Sequence, residues 1–221
     1  MKIKVFSWLL SAAVLTSCSG FEVNEQTREE LDIFPDYKGV TVPYNIAPLN
    51  FMTDCFAKGK VKVESSDGSA LVCRMRNGKV CFPVRKWRAL LESAKGATLT
   101  VTVMDNDSKA YEPFEISVAE EPVDRYIAYR LIDPGYVLWN EMGIYQRDLE
   151  SFRQRAVVEN RDLDHACVNC HSFADRDPEA MVFHARTTAH GGTYVTVDGR
   201  FEKLDTKTPQ TISALVYPSW H

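Results

Sequence analysis

Residues 166–171 read Ala-Cys-Val-Asn-Cys-His. Two cysteines with two residues between them, followed at once by histidine, form C-x-x-C-H, the attachment pattern of c-type haem. The chemistry accounts for the spacing. Thiols three positions apart on one helical turn reach two vinyl groups as thioethers, and the adjacent imidazole comes under the iron as proximal ligand. Six cysteines and five histidines in 221 residues make chance matches rare, on the order of 0.004 per chain. Cys167 and Cys170 are therefore the candidate cofactor-binding residues of one covalent haem c, and His171 the candidate iron ligand. Three other readings compete. A thioredoxin-like redox pair wants an apolar approach to its first cysteine, whereas Arg161-Asp162-Leu163-Asp164-His165 is polar. A zinc site needs a second ligand pair, and Cys73 with Cys81 does not have that spacing. A structural Cys167–Cys170 disulfide suits an oxidising compartment.

The sixth iron position has two leading candidates, His184 and Met181, in the run Met181-Val182-Phe183-His184-Ala185-Arg186. If that run is a strand, the two side chains leave it on opposite faces and only one reaches a given iron. Methionine raises a haem potential and bis-histidine ligation lowers it. Met142, His165 and His190 are further candidates, and five-coordinate iron would leave the position open. Tyr126, Trp139 and Tyr145 are candidate walls for a flat cofactor, against ordinary duty in a core. Arg186 could pair with a haem propionate, against the plainer role of a solvated strand residue.

The elements that position these residues begin after an address. Lys2 and Lys4 precede an apolar run from Val5 to Leu15, the basic and hydrophobic regions of a secretory signal. It ends Leu15-Thr16-Ser17-Cys18, which resembles the lipobox of bacterial lipoproteins. That resemblance implies cleavage before Cys18 and lipid on its sulfur and amine. Several acyl chains hold far more firmly than one. The competing reading is an ordinary cleaved signal. The mature chain would have 204 residues and a net charge of −6, against −4 for the whole. This acidity argues against nucleic acid as a partner. No other run approaches the ~18–20 apolar residues of a membrane span.

Residues 18–35 read as an acidic tether carrying Glu22, Glu25, Glu29, Glu30 and Asp32. Residues 36–120 read as short strands at Val40–Val42, Val61–Val63, Ala70–Arg76, Lys79–Val84, Thr98–Met104 and Phe114–Val118. Asn77-Gly78 is a hairpin signal; a two-residue turn pairs Met75 with Val80 and puts Cys73 and Cys81 on opposite faces. The pairing of Cys55, Cys73 and Cys81 stays open. Only Arg85–Lys95 looks helical there, with Trp87, Leu90 and Leu91 on one side. The strand count suggests an immunoglobulin-like β-sandwich. Residues 121–190 read as the haem-binding segment, a small α+β cytochrome-like region with an amphipathic helix over about Gly143–Val158, from Ile144, Leu149, Phe152 and Ala156. Residues 191–221 return to β, with Asp198-Gly199 as a turn. The expected fold class is thus mainly β with a helical haem-binding segment. With 45% hydrophobic and 25% charged residues the chain has ordinary globular composition.

Four stretches carry a family resemblance: Pro134-Gly135-Tyr136 through Trp139-Asn140-Glu141-Met142-Gly143-Ile144-Tyr145, Cys167–Phe173, Thr206–Ser213 and Tyr217-Pro218-Ser219-Trp220-His221. Together they resemble bacterial envelope lipoproteins that join a cytochrome-type haem motif to a TolB-like β-propeller. The last five residues are similar to the opening of a propeller repeat. The resemblance implies a propeller after His221, so residues 191–221 are expected as a partial blade or an ordinary hairpin. The leading expectation is a lipid-anchored electron carrier of the cell envelope, on the periplasmic side or the outer membrane, that docks to a redox protein. The alternatives are a structural or binding lipoprotein with a Cys167–Cys170 disulfide, and a peroxidase-like haem enzyme if the iron is five-coordinate.

Overall fold

The computed structural model describes residues 20–132, 134, 141–211 and 215–220. The leader with Cys18, and Trp139, Ile212, Ser213 and His221, lie outside the described residues. The chain is mainly β. Its elements run β1 (Glu25–Gln26), β2 (Thr41–Pro43), β3 (Phe51–Met52), β4 (Lys58–Ser65), β5 (Ala70–Arg76), β6 (Lys79–Val80) and α1 (Val84–Ser93). Then come β7 (Thr98–Asp105), β8 (Lys109–Ala110), β9 (Phe114–Ala119), β10 (Tyr126–Ile132), β11 (Met142–Asp148) and β12 (Gln154–Glu159). The last four are β13 (Cys167–Phe173), β14 (Met181–Arg186), β15 (Gly192–Val197) and β16 (Arg200–Lys203).

Two compact units emerge. One holds the described residues up to Thr41 with Leu49–Phe82 and Gly96–Val118; the other holds Val42–Pro48, Pro83–Lys95 and the described residues from Ala119 onward. In the first, eight strands join one hydrogen-bonded network along β1-β8-β7-β4-β5-β6-β3, with β9 on β7. Its longer strands alternate, except that β7 buries Met104 beside Val103. Val61, Val63, Leu71, Cys73, Met75, Leu99, Val101 and Val103 are buried, while the residues between them are polar or half-exposed. The expected hairpin is present: Met75 pairs with Val80 and Arg76 with Lys79. Asn77 and Gly78 both have positive φ, 50° and 71°, as a type I′ turn demands. Cys73 is buried, whereas Cys55 and Cys81 are exposed free thiols.

The second unit contains α1, whose Trp87, Leu90 and Leu91 are buried as the sequence spacing requires. The Trp87 indole donates to the Ile46 carbonyl at 3.2 Å. Asn45 is a second clasp: its amide donates to the Val123 carbonyl and accepts from the Val123 N–H, both at 2.9 Å. Strands β10-β11-β12 form one antiparallel sheet and β13-β14-β15-β16 another, each in sequence order. Ile144, Val158, Ala166, Val168, Met181, Phe183, Ala185 and Tyr194 form one core cluster in this unit.

One expectation is corrected here. Residues 143–158 are not a helix but most of β11 and β12, so the haem-motif region carries no α-helix among its described residues. The inward face of β11 is Met142, Ile144, Gln146 and Asp148, all buried. Two of these four are polar, which hides a period of two from any count of apolar residues. Both are satisfied, Gln146 accepting from Arg155 at 2.7 Å and Asp148 from two arginines.

Gly78 is tied on both sides, its N–H donating to the Ala57 carbonyl and its carbonyl accepting from Thr53. A Cβ there would overlap the Thr53 carbonyl oxygen. Gly78→Ala is therefore expected to lose about 1–3 kcal/mol in urea unfolding; an unchanged midpoint would contradict the turn.

Candidate functional site

Strand β13 carries the whole motif, on extended backbone rather than a helical turn. Its register explains the shape. Cys167 pairs with Arg186, Val168 with Ala185 and Asn169 with His184, then Ser172 with Val182 and Phe173 with Met181. Cys170 and His171 together oppose Phe183, so one extra residue is inserted at the motif. Val168 and Phe173 both pack in the core cluster, yet they lie five positions apart. A regular strand would send them to opposite faces. The bulge restores parity, and its first residue, Cys170, adopts φ 55°, the left-handed position usually given to glycine.

The same shift delivers His171. Its ring meets Phe173 edge-on at 6.0 Å between centroids, and both line a cleft of about 610 Å³ with Arg125, Tyr126, Gln146 and Arg176. That volume lies inside the ~300–1,000 Å³ range of cofactor pockets. Burial lowers the His171 pKa, the hydrogen bond to the Ala128 backbone opposes this, and the Arg130 charge adds to the lowering. His171 is thus neutral at pH 7, the state in which imidazole binds a metal.

Next to the cleft, Asp148 is 4% exposed and takes the Arg125 guanidinium at 3.2 Å and that of Arg153 at 3.0 Å. Burial pushes its carboxyl up. The hydrogen bonds from Arg125, Arg153, Ser151 and the Glu150 N–H outweigh burial and hold it well below the usual range. Arg125 also lies over the Tyr126 ring, 5.2 Å from its centroid. The carboxylate therefore orients one of the two cations of the cleft. Sequence reasoning singled out neither Arg125, Arg176 nor Asp148, since no motif marks them.

The other candidates fall elsewhere. Met181 is 1% exposed in the core cluster, and His184 is buried on the opposite face, its Nδ1 3.2 Å from Thr193 Oγ1. Burial lowers its pKa, the Arg186 charge adds to this, and a bond to the Leu215 backbone opposes. The two do leave β14 on opposite sides, and neither lines the His171 cleft. Met142 is buried in β11, while His165, Arg186 and His190 are exposed. Tyr126 lines the cleft; Tyr145 instead donates to Glu159 at 2.7 Å. Neither a family model nor a curated protein matches this sequence.

The donor set is that of a covalently held haem, two partly exposed free thiols and a neutral, half-buried imidazole within five residues on the edge strand of its sheet, but of the three only His171 lines the cleft. The register adds a condition. Cys167 shares the face of Asn169 and His184, whereas His171 shares that of Phe173. Both thiols are free in this structure. Among the described residues no three His, Cys, Asp or Glu side chains converge.

Two stability tests follow. At Cys170 the left-handed backbone costs a non-glycine residue about 1–2 kcal/mol. Cys170→Gly should unfold at no lower urea than the native chain, and Cys170→Val about 1–2 kcal/mol below Cys170→Gly. Asp148→Asn should lose about 1–2 kcal/mol at pH 7. Because the folded carboxyl pKa is depressed, this stabilisation is present above the unfolded value near ~3.9 and disappears as pH falls below it. The gap between variant and native chain should narrow progressively as pH falls from about 5 toward the depressed pKa of the folded carboxyl.

Proposed function

We propose that the chain is an exported electron carrier of the cell envelope, anchored by lipid on Cys18, holding one haem c through Cys167 and Cys170 with His171 as iron ligand. The observation that carries this reading is Cys170. A thiol is kept at a left-handed position that glycine would occupy without strain, beside a neutral imidazole on a cleft wall. Packing alone gives no reason for cysteine there.

When bound, haem supplies reversible one-electron exchange between ferric and ferrous iron. The chain's own residues divide the remaining work. Cys167 and Cys170 attach, and His171, kept neutral by burial, offers its lone pair. Arg125 and Arg176 would meet the propionate carboxylates, with Arg125 held in place by Asp148. Tyr126 and Phe173 supply apolar wall. Residues 36–120 would serve as an immunoglobulin-like module. The β15–β16 hairpin within residues 191–221 would be part of a blade of the kind that propellers repeat, in keeping with the TolB-like lipoproteins that the sequence resembles.

The second reading leaves the iron five-coordinate, and an open sixth position would admit a small exogenous ligand, as a peroxidase-like site would need.

Expression with haem-maturation machinery tests both. The intact protein should gain the mass of one haem that survives denaturation, and Cys170→Ala should lose that mass. Cys167→Ala should retain a fraction, since Cys170 adjoins the ligand. The reduced protein should bind carbon monoxide within mixing time. No covalent haem, or full attachment in Cys170→Ala, removes the reading; no carbon monoxide binding removes the open position alone.

A further inference from the structure

The first unit carries charge where a sheet should avoid it. On the outward face of β4, β5 and β6, Lys58 pairs directly with Arg76, Lys60 with Arg74, and Arg76 again with Lys79. Like charges directly opposite one another destabilise a sheet. Lys58, Arg74, Arg76 and Lys79 are exposed and Lys60 half-buried. Nearby anions do not neutralise them. Lys62 next along takes Glu64 at 2.8 Å, but among the described residues none of the other five forms an ion pair. Asp105, the one carboxylate on the rim of the 490 Å³ hollow between them, accepts the N–H groups of Asp107 and Lys109 with its Oδ1. Five cations thus stand together on a chain whose net charge is −4.

The path of the chain shows where this patch lies. From Thr27 backwards the backbone runs along β8, with Thr27 bonded to Ala110 and Asn24 to Ser108. At Gly20 it meets the patch itself, where the Lys60 ammonium donates to the Gly20 carbonyl. In sequence, Cys18 precedes Gly20 by two positions.

We infer that the Lys58-Lys60-Arg74-Arg76-Lys79 face docks on the phosphate-bearing anionic headgroups of the bilayer that holds the lipid on Cys18. The inference rests on the lipid-anchor reading for its orientation. Anchor and cations then act as two signals on one side of the molecule, each extending the residence of the other. Charge complementarity selects the headgroups, and the tether's landing point brings them within reach. The repulsion between facing strands is relieved when phosphates come between them.

The experiment uses the full mature chain with Cys18→Ser, so that no acyl group contributes. Its partitioning is measured on vesicles of equal parts phosphatidylglycerol and phosphatidylcholine, and on phosphatidylcholine alone. Binding should require the anionic lipid and weaken with salt. Each cation near an anionic surface contributes about fivefold, so Arg74→Gln with Arg76→Gln should lower partitioning about 25-fold. The control pair Arg85→Gln with Lys86→Gln, exposed cations of α1, should leave it unchanged. The same Arg74/Arg76 variant should unfold at no lower urea, because a repulsive ladder is being relieved. Equal partitioning on both vesicles, no effect of the Arg74/Arg76 pair, or an equal effect of the control pair overturns the proposal, as does binding to dextran sulfate but not to vesicles. Failure of the anchor reading is seen separately, as absence of acyl mass on Cys18 in the native chain.

Discussion

Parity in β13 governs the site. The strand must place both Val168 and Phe173 in the core against Phe183 and Ala185, and five positions separate them. Only an odd insertion reconciles that spacing with a pleat of period two. The insertion falls at Cys170-His171, so the demand for a dry core turns the histidine toward the cleft. A straight β13 would face His171 the other way and would leave either Val168 or Phe173 in water. Burying such a side chain is worth about 1.5–3 kcal/mol, more than the strain of one left-handed cysteine. The bulge is therefore the cheaper arrangement.

Electrostatics builds the rest of the cleft around one buried carboxylate. Asp148 ends a strand face that is half polar, and its two arginines come from Arg125 before β10 and Arg153 in the turn before β12. The arginines are partly solvated, 46% and 76% exposed, so the pair draws less on Coulomb attraction than a sealed bridge would. What it supplies is direction. Arg125 is held over Tyr126 at the rim of the space that His171 faces. The same ion pair thus links the fold of the β10–β12 sheet to the chemistry of the motif strand.

The two units treat charge in opposite ways. The C-terminal unit surrounds its buried acid with cations, whereas the first unit stacks cations against cations across β4, β5 and β6. The first arrangement is complete within the chain. The second leaves five cations without an ion pair among the described residues, one of them donating to the Gly20 carbonyl. An overall charge of −4 conceals both, because net charge says nothing of where the charges lie.

Much of the fold was legible in the residues. Alternating β-branched runs marked β5, β7, β9 and β14, Asn77-Gly78 set the β5–β6 register, and Trp87, Leu90 and Leu91 marked the buried side of α1. These are local signals, carried by propensity and turn chemistry within a few residues. The C-x-x-C-H spacing is local too, and the sequence by itself singled out Cys167, Cys170 and His171 as candidates. Tertiary structure decided what depends on partners far along the chain. It made β11 and β12 strands although Ile144, Leu149, Phe152 and Ala156 fall at nearly helical spacing, because Gln146 and Asp148 find arginines that allow them to be buried. It put the motif on a strand, since Val168 and Phe173 had to meet one core. It gathered Arg125 and Arg176 around His171 and five cations onto one sheet face. No short window of sequence contains those neighbours, and only pairing across strands brings them together.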